Sequence, residues 1–231
     1  MRVLLTRPVH ESRRSAARLR KLGHNVLIAP VLQIVRTEAA PPEGDFDMIV
    51  ATSAHAFADT RLFKREWTDI PVHVVGERTA RAVSRTEFRA PHTIARDAED
   101  LTRRLIAQAP TPARILYIAG RDRTPALEAA LRGAGHTVIP WIVYEARPVA
   151  TLTQEACRAL TDGDVEAILH FSARSAELFL DLAAKSNVMA SAMAPLQIAI
   201  STRTAQALRP FASRLIIAPT PDIAGMIAAL D

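Results

Sequence analysis

Residues that could bind an anion follow short apolar runs at several points of this sequence. Such runs of Val, Ile and Leu are typical of buried parallel strands, and ligands of open parallel sheets bind beyond the carboxyl ends of the strands. Helix N-termini at these ends favour carboxylate or phosphate groups. The candidate binding residues in these positions are Arg7, Thr52, Ser53, Gly76, Thr79, Arg121, Ser172, Ser201, Thr202, Arg203 and Thr204. The alternative interpretation is that the hydroxyls are ordinary helix N-caps.

The familiar motifs of covalent, metal and nucleotide chemistry are missing from the sequence. It contains no GxGxxG dinucleotide loop, no GxxxxGK(S/T) phosphate loop, no GxSxG elbow and no HExxH zinc motif. His24 and His136 occur in a repeated turn, where a structural role is favoured. Cys157, in the amphipathic pattern "EACRAL", is expected to fill the core. We therefore expect an enzyme with this sequence to use neither a metal ion nor another cofactor.

The composition indicates a globular chain with an anionic partner. With 231 residues, 49% of them hydrophobic, it can form one large domain or two small ones. The formal net charge of +5 favours nucleic acid or a small polyanion, but an aromatic content of 5% disfavours a nucleic-acid reader. A single cysteine excludes an intramolecular disulfide. The first residues do not look like a secretory signal, and no apolar run approaches the roughly 20 residues that cross a bilayer. We expect a cytoplasmic protein.

The sequence repeats itself. "RVLLTRPVHESRRSAARLRKLGHNVLIAPV" from Arg2 aligns without a gap with "RILYIAGRDRTPALEAALRGAGHTVIPWIV" from Arg114. "VVGERTARAV" from Val74 then corresponds to "AISTRTAQAL" from Ala199, so that Gly76 and Ser201 occupy equivalent positions. Segments that recur in the same order indicate an internal duplication.

Each half is predicted to read strand, helix, strand, strand, helix, strand, helix, strand, helix, because short apolar runs alternate with helical patterns. This indicates an α/β fold of two similar parallel-sheet domains, flavodoxin-like or Rossmann-like. Proline-rich stretches at Thr37 and Ala107 are candidate boundaries. The long extended runs after "GHNV" and "GHTV" could instead pass from one domain to the other. The residues alone leave open whether the halves are sequential or exchanged.

An ordered set of motifs resembles the uroporphyrinogen-III synthase family over essentially the whole chain. Each motif is short, and the set is specific through its order and spacing. The motifs are "RVLLTRP", "ATSAHA", "VVGERTA", "ILYIAGRDR", "VIPWIVYEARP", "HFSARSAE" and "APTPDIAGM".

The resemblance implies two α/β domains with exchanged halves. One domain would comprise residues 1–33 and 148–231, and the other residues 39–140. Residues 31–38 and 141–147 would form a two-stranded linker. The substrate would bind in the cleft between the domains.

The resemblance also implies a reaction. The family cyclises hydroxymethylbilane to uroporphyrinogen III with inversion of ring D, as a water-eliminating lyase of heme biosynthesis. Tyr144, in "IVYEA", matches the tyrosine suspected of catalysis in the family, and the candidate hydroxyl and arginine residues would bind the eight carboxylates of the substrate. The implied partner is this small molecule, with no cofactor, nucleic acid or membrane. We expect a monomer, with possible transient contact with hydroxymethylbilane synthase.

One departure from the family pattern supports an alternative. Ser201 stands where members usually carry glycine, and its side chain could crowd backbone that approaches a carboxylate, although Arg203 could bind that group itself. The alternative function is a non-catalytic paralogue that binds tetrapyrroles or other polyanions in the same cleft. A generic solute-binding sensor is a weaker third hypothesis.

Overall fold

The computed structural model describes residues 1–89, 91–108 and 112–230. The chain forms two compact units. Unit 1 comprises Met1–Ile34 and Arg147–Asp231, and unit 2 comprises Val35–Ala146. The chain leaves unit 1 within one extended segment and returns to it within another.

Strands and helices alternate along the described residues. The strands are β1 (Arg2–Leu5), β2 (Asn25–Ile28), β3 (Leu32–Arg36), β4 (Met48–Ala51), β5 (Val72–Val75), β6 (Thr93–Ala95), β7 (Arg114–Gly120), β8 (Thr137–Pro148), β9 (Ala167–His170), β10 (Leu196–Ala199) and β11 (Leu215–Ile217). The α-helices are α1 (Val9–Lys21), α2 (Gly76–Val83), α3 (Ala98–Gln108), α4 (Ala126–Gly133), α5 (Gln154–Thr161), α6 (Ala173–Lys185), α7 (Met189–Met193), α8 (Thr202–Leu208) and α9 (Ile223–Ala228). Two 3-10 helices, η1 (Ala54–Phe57) and η2 (Arg65–Trp67), lie between β4 and β5. A helix that could span a membrane is not found among the described residues.

The two sheets have matching strand orders, apart from an additional strand, β3, at the edge of the second sheet. The sheet of unit 1 has the order β11-β10-β9-β1-β2, and the second sheet has the order β3-β8-β7-β4-β5-β6. β1 and β7 come from equivalent parts of the sequence repeat, as do β2 and β8, and each pair holds the same place in its sheet. The predicted fold class, two similar parallel α/β domains from a duplication, is confirmed. Because β1 and β2 share a sheet with β9, β10 and β11, each unit combines segments of both repeats.

Hydrophobic residues on both faces of the strands explain why the sheets are parallel and buried. All four residues of β4 are buried, as are all four of β9 and β10. Such strands are predominantly apolar, because both faces of the sheet are covered; His170 of β9 and Gln197 of β10 are the buried polar exceptions in these strands. In unit 1 one face packs Val3 and Leu5 of β1 against Leu169 and Ile198.

The start of α3 follows from the acidic residues in "RDAED". The Asp97 carboxylate accepts a hydrogen bond from the Asp100 backbone amide at 2.8 Å, and the Asp100 carboxylate accepts one from the Arg96 amide at 3.1 Å. These bonds satisfy amides that the first helical turn leaves unpaired. The backbone bond and the guanidinium groups of Arg104 and Arg103 hold the pKa of Asp100 well below its usual range.

The connection between β4 and β5 departs from the predicted alternation, which places an α-helix there. The chain forms only the 3-10 helices η1 and η2. Phe63, between them, makes ring contacts with Phe57, Trp67, Phe88 and Trp141. The packing of these rings on one face of the sheet overrides the local helical preference of the segment.

Two smaller differences concern the second half of the chain. A helix, α5, precedes β9 and has no counterpart before β4. Cys157 lies on α5 and is half-buried, so the expectation of a core position is wrong.

His136 is buried and accepts a hydrogen bond from the Ala113 amide at 3.3 Å, a structural contact of the kind expected for this turn.

Candidate functional site

Unit 2 brings together the candidate residues of its four adjacent strands. β8, β7, β4 and β5 are parallel neighbours, so their carboxyl ends lie along one edge of the sheet. The candidate residues at this edge are Tyr144, Arg121, Thr52, Ser53 and Gly76. Thr79 belongs to the first turns of α2 but is only 3% exposed, so its hydroxyl lies inside the unit.

Tyr144 lies half-buried beside His55, a residue that no pattern in the sequence distinguishes. The centroids of the Tyr144 and His55 rings are 5.5 Å apart, with the rings tilted by 52°. The Arg78 guanidinium is 3.4 Å from Nε2 of His55. Because a guanidinium only donates hydrogen bonds, Nε2 is the acceptor and the ring proton of a neutral His55 is on Nδ1. A phenol, an imidazole and a guanidinium therefore occupy one end of unit 2.

A second tyrosine, Tyr117, forms a hydrogen bond with the candidate residue Thr52. The Tyr117 phenol is 3.2 Å from the Thr52 hydroxyl, and Tyr117 is only 2% exposed. Burial raises the pKa of Tyr117, with the bond to Thr52 acting in the opposite direction. Tyr117 remains protonated at neutral pH and can orient the Thr52 hydroxyl.

Ser53 and Arg121 already have partners within unit 2. The Ser53 hydroxyl accepts a hydrogen bond from the His55 backbone amide at 3.3 Å, so it caps η1. The Arg121 guanidinium forms an ion pair with the largely buried carboxylate of Glu145. Its positive charge is therefore partly matched before any ligand binds.

The equivalent residues Gly76 and Ser201 have different backbone conformations. Gly76 has φ = 75°, in the left-handed region that favours glycine. Ser201 has φ = −156°, an extended conformation that any residue adopts. The serine in place of the family's usual glycine thus causes no strain in this backbone.

We expect Gly76→Ala to lower the free energy of unfolding by roughly 1–2 kcal/mol, because a side chain disfavours the left-handed conformation. A Cβ at Gly76 would meet nothing within 4 Å, so the penalty comes from the backbone alone. Chemical denaturation measures the change. Gly133→Ala is the control, since Gly133 is helical and its Cβ would also meet nothing within 4 Å. Equal losses in both variants would contradict the prediction.

Unit 1 likewise brings candidate residues of three adjacent strands to one edge. Arg7 follows β1, Ser172 follows β9 and Ser201 lies just after β10, and these strands are neighbours in the sheet. The Arg7 guanidinium lies 4.3 Å from the centroid of the Phe171 ring, a cation–π contact.

Both serines are N-caps, as the alternative interpretation has it. The Ser172 hydroxyl accepts a hydrogen bond from the Ser175 amide at 3.1 Å, and the Ser201 hydroxyl accepts one from the Thr204 amide at 3.3 Å. Thr204 is 1% exposed, and its hydroxyl contacts that of Ser201 at 3.1 Å. Thr202 and Arg203, in the first turn of α8, are exposed. Only these two of the α8 candidates extend into solvent.

We expect Ser201→Ala to lower the free energy of unfolding by about 1 kcal/mol through loss of the cap, and Ser201→Gly by only a few tenths. Thermal or chemical denaturation of the two variants measures this order. A glycine variant that is less stable than the alanine variant would show that the cap is not the main role of Ser201.

A buried histidine lies next to this edge of unit 1. His170 has no exposed surface, and its Nε2 donates a hydrogen bond to the Gln197 side-chain oxygen at 2.9 Å. The Gln197 amide nitrogen donates to the carbonyls of Ala192 and Pro195, which fixes the orientation of the glutamine. Nδ1 of His170 has no partner among the described residues. Burial lowers the pKa of His170 to about 4, so the ring is neutral.

Groups of ligands that could hold a metal ion are not found among the described residues.

The family model described as uroporphyrinogen-III synthase HemD matches residues 13–228. This match covers most of the chain and is decisive. The chain belongs to the uroporphyrinogen-III synthase family. The family consists of cyclising lyases of tetrapyrrole biosynthesis, so the predicted family, enzyme class and function are confirmed at this level.

Solved structures of the family share the fold of this chain. Uroporphyrinogen-III synthetase from Helicobacter pylori has a TM-score of 0.62 and 19% identity, with 100% of this chain and 98% of that chain covered. A mutant uroporphyrinogen III synthase from Thermus thermophilus has a TM-score of 0.52 and 21% identity, with coverage of 100% and 97%. None of the curated proteins matches the chain. At these identities the structural matches support the fold alone.

Proposed function

We propose that this chain closes hydroxymethylbilane into uroporphyrinogen III, with inversion of the last pyrrole ring. The family match over residues 13–228 is the observation that carries the proposal. The half-buried Tyr144, at a sheet edge that also holds hydroxyl and guanidinium groups, supports it.

The proposed chemistry begins with loss of the terminal hydroxyl group of the linear tetrapyrrole. The Tyr144 phenol donates a proton to this group, which leaves as water. The nitrogen electron pair of the adjacent pyrrole forms the new exocyclic double bond, and the product of this step is an electrophilic azafulvene in its N-protonated form. The substituted carbon of the last ring attacks it to give a spiro intermediate, which fragments and recloses through the other α-carbon of that ring, so that the ring is inverted. This carbon then loses its proton, which restores the Tyr144 phenol. The pyrroles supply the electrons, so the protein needs no nucleophile of its own.

The main contribution of the protein in this proposal is to hold a flexible chain in its cyclising conformation. Positioning of reacting groups can supply roughly 7–11 kcal/mol of a barrier. The protein would hold the substrate through the carboxylate groups of the tetrapyrrole. We propose that Thr52, Ser53, Gly76, Arg7, Arg121, Ser172, Ser201, Thr202 and Arg203 contact them through side chains or backbone amides. Thr79 and Thr204 are buried, and we assign them a supporting role beneath these contacts.

We further propose that hydroxymethylbilane is the physiological ligand and that the protein acts as a monomer, with at most transient contact with hydroxymethylbilane synthase. Sedimentation of the protein alone and with that enzyme tests both points. A stable dimer, or a stable complex that sediments as one species, would contradict them.

The decisive experiment generates hydroxymethylbilane in place, adds the protein, oxidises the products and separates the porphyrin isomers. Spontaneous closure gives isomer I, and the proposal predicts an excess of isomer III that rises with protein concentration. Isomer I alone from folded protein would refute the proposal. Binding of the tetrapyrrole without turnover would then favour the non-catalytic paralogue that the serine at position 201 suggested.

A further inference from the structure

The position of the Tyr144 ring depends on an irregularity between β7 and β8. Up to Ala119 the two strands pair regularly, with Ala119 opposite Ile142. The next pair is Gly120 with Tyr144, so Val143 is an extra residue on β8. A β-bulge of this kind redirects the side chains that follow it.

The bulge brings Tyr144 to the face of the sheet that η1 covers. Side chains alternate along a strand, and Ile142 and Val138 face the layer built with α3 and α4. Regular alternation would send Tyr144 to that same layer. Instead its ring contacts His55 of η1, on the opposite face, where Trp141 and Val143 also pack.

Backbone and side-chain hydrogen bonds hold the bulge on both sides. The Thr37 amide donates to the Val143 carbonyl at 3.1 Å, and the Thr37 hydroxyl donates to the Ile142 carbonyl. On the other side, the Arg121 amide donates to the Tyr144 carbonyl at 2.9 Å. The backbone of Tyr144 is therefore fixed, and the direction of its ring depends on what lies beside it.

Gly120 lies directly beside the Tyr144 ring. A Cβ on Gly120 would lie 2.5 Å from Cε2, 2.6 Å from Cζ and 2.9 Å from the phenol oxygen of Tyr144. All three distances are too short for non-bonded atoms, so any side chain at Gly120 must displace the ring. The atoms that would be displaced include the one that donates the proton in the proposed reaction.

We propose that Gly120 is a positioning residue for the reaction, which acts by leaving the space that the Tyr144 ring needs in order to present its hydroxyl group. This inference rests on the proposed function of Tyr144. A displacement of about 1 Å at a reacting group can cost roughly 100-fold in rate. We therefore expect Gly120→Ala to slow formation of isomer III by about 100-fold, with little change in tetrapyrrole binding.

Two measurements distinguish positioning from a general structural effect. The first combines Gly120→Ala with Tyr144→Phe: once the phenol is absent, the alanine should slow the reaction by less than about threefold, because coupled residues are not additive. The second uses 3-fluorotyrosine, since the chain has only two tyrosines. The ¹⁹F resonance of Tyr144, identified by its loss in Tyr144→Phe, should shift in Gly120→Ala. Gly133→Ala, where a Cβ would meet nothing within 4 Å, should change neither rate nor resonance.

The possible outcomes separate this inference from the proposed function. A resonance that does not move, full activity despite a moved resonance, or an equal rate loss in the Tyr144→Phe background would each overturn the role of Gly120. If the wild type yields no isomer III, the proposed function fails, and the ¹⁹F shift still tests the contact. If Gly120→Ala does not fold, Gly120→Ala/Tyr144→Ala should fold, because the clash is removed. A double variant that also fails to fold would overturn the inference.

Discussion

Tyr144→Phe is expected to slow formation of isomer III by roughly 10²–10⁴-fold, the usual contribution of a general acid. The substitution removes one oxygen and keeps the ring, so its contacts with His55 and Gly120 persist. Binding of the tetrapyrrole should therefore change little, and the loss should appear in kcat rather than in KM. Single-turnover measurement of isomer III together with equilibrium binding provides both values.

Tyr117→Phe is the matched control, because the chain has two tyrosines and both are in unit 2. This substitution removes the hydrogen bond between the Tyr117 hydroxyl and Thr52. Such a bond contributes about 1 kcal/mol, so the rate should change by less than about tenfold. Equal effects of the two substitutions, or an unchanged rate in Tyr144→Phe, would exclude Tyr144 as the proton donor.

Acidification is expected to destabilise the protein through its buried histidines. The pKa of His170 is about 4 in the folded state, whereas an unperturbed histidine, as in the unfolded chain, has a pKa of 6.5. Above pH 6.5 both states are neutral at this site and nothing changes. As the pH falls from 6.5 to 4 the unfolded state binds a proton that the folded state does not, and stability falls by about 3 kcal/mol, at about 1.4 kcal/mol per pH unit. His73, in unit 2, contributes in the same direction, since burial and then His92 lower its pKa to about 4.

Urea unfolding at pH 7 and pH 4 of the wild type and His170→Gln tests this expectation. Glutamine can still donate to Gln197 but does not titrate, so the variant should lose about 3 kcal/mol less on acidification, whatever its stability at pH 7. His10→Gln replaces an exposed histidine of α1 and serves as the control. If His170→Gln and His10→Gln show the same acid sensitivity as the wild type, His170 is not the cause.

The sheets could be predicted because two independent features of the sequence, the internal repeat and the short apolar runs, indicate the same strands. β1 and β7 align without a gap in the sequence, and each lies between two parallel neighbours in its own sheet. The 3-10 turns after β4 could not be predicted in this way. They depend on rings such as Phe63, Phe88 and Trp141, which are far apart in sequence and meet only in the folded unit.

The candidate site residues follow from two kinds of sequence information. Tyr144 was selected from a resemblance, and hydroxyls such as Thr52 from the strands that precede them; their roles remain proposals. His55 and Arg78 occur within the motifs "ATSAHA" and "VVGERTA", but no sequence pattern distinguishes them, because only their mutual contact in the folded unit does so. The role inferred for Gly120 had no sequence signal, since it depends on a bulge that a linear pattern does not display.

The exchange of segments between the units has a consequence for the order in which the protein can form during synthesis. Val3 pairs with Ala167, so the sheet of unit 1 cannot close until most of the chain has left the ribosome. Unit 2, a continuous segment from Val35 to Ala146, can close earlier. Leu4 and Leu5 are fully buried in the complete sheet. Until β9 has been synthesised, these two residues lack the strand with which they pair. The strand β1 is therefore synthesised well before β9, and its apolar residues stay exposed to water until that later strand is available.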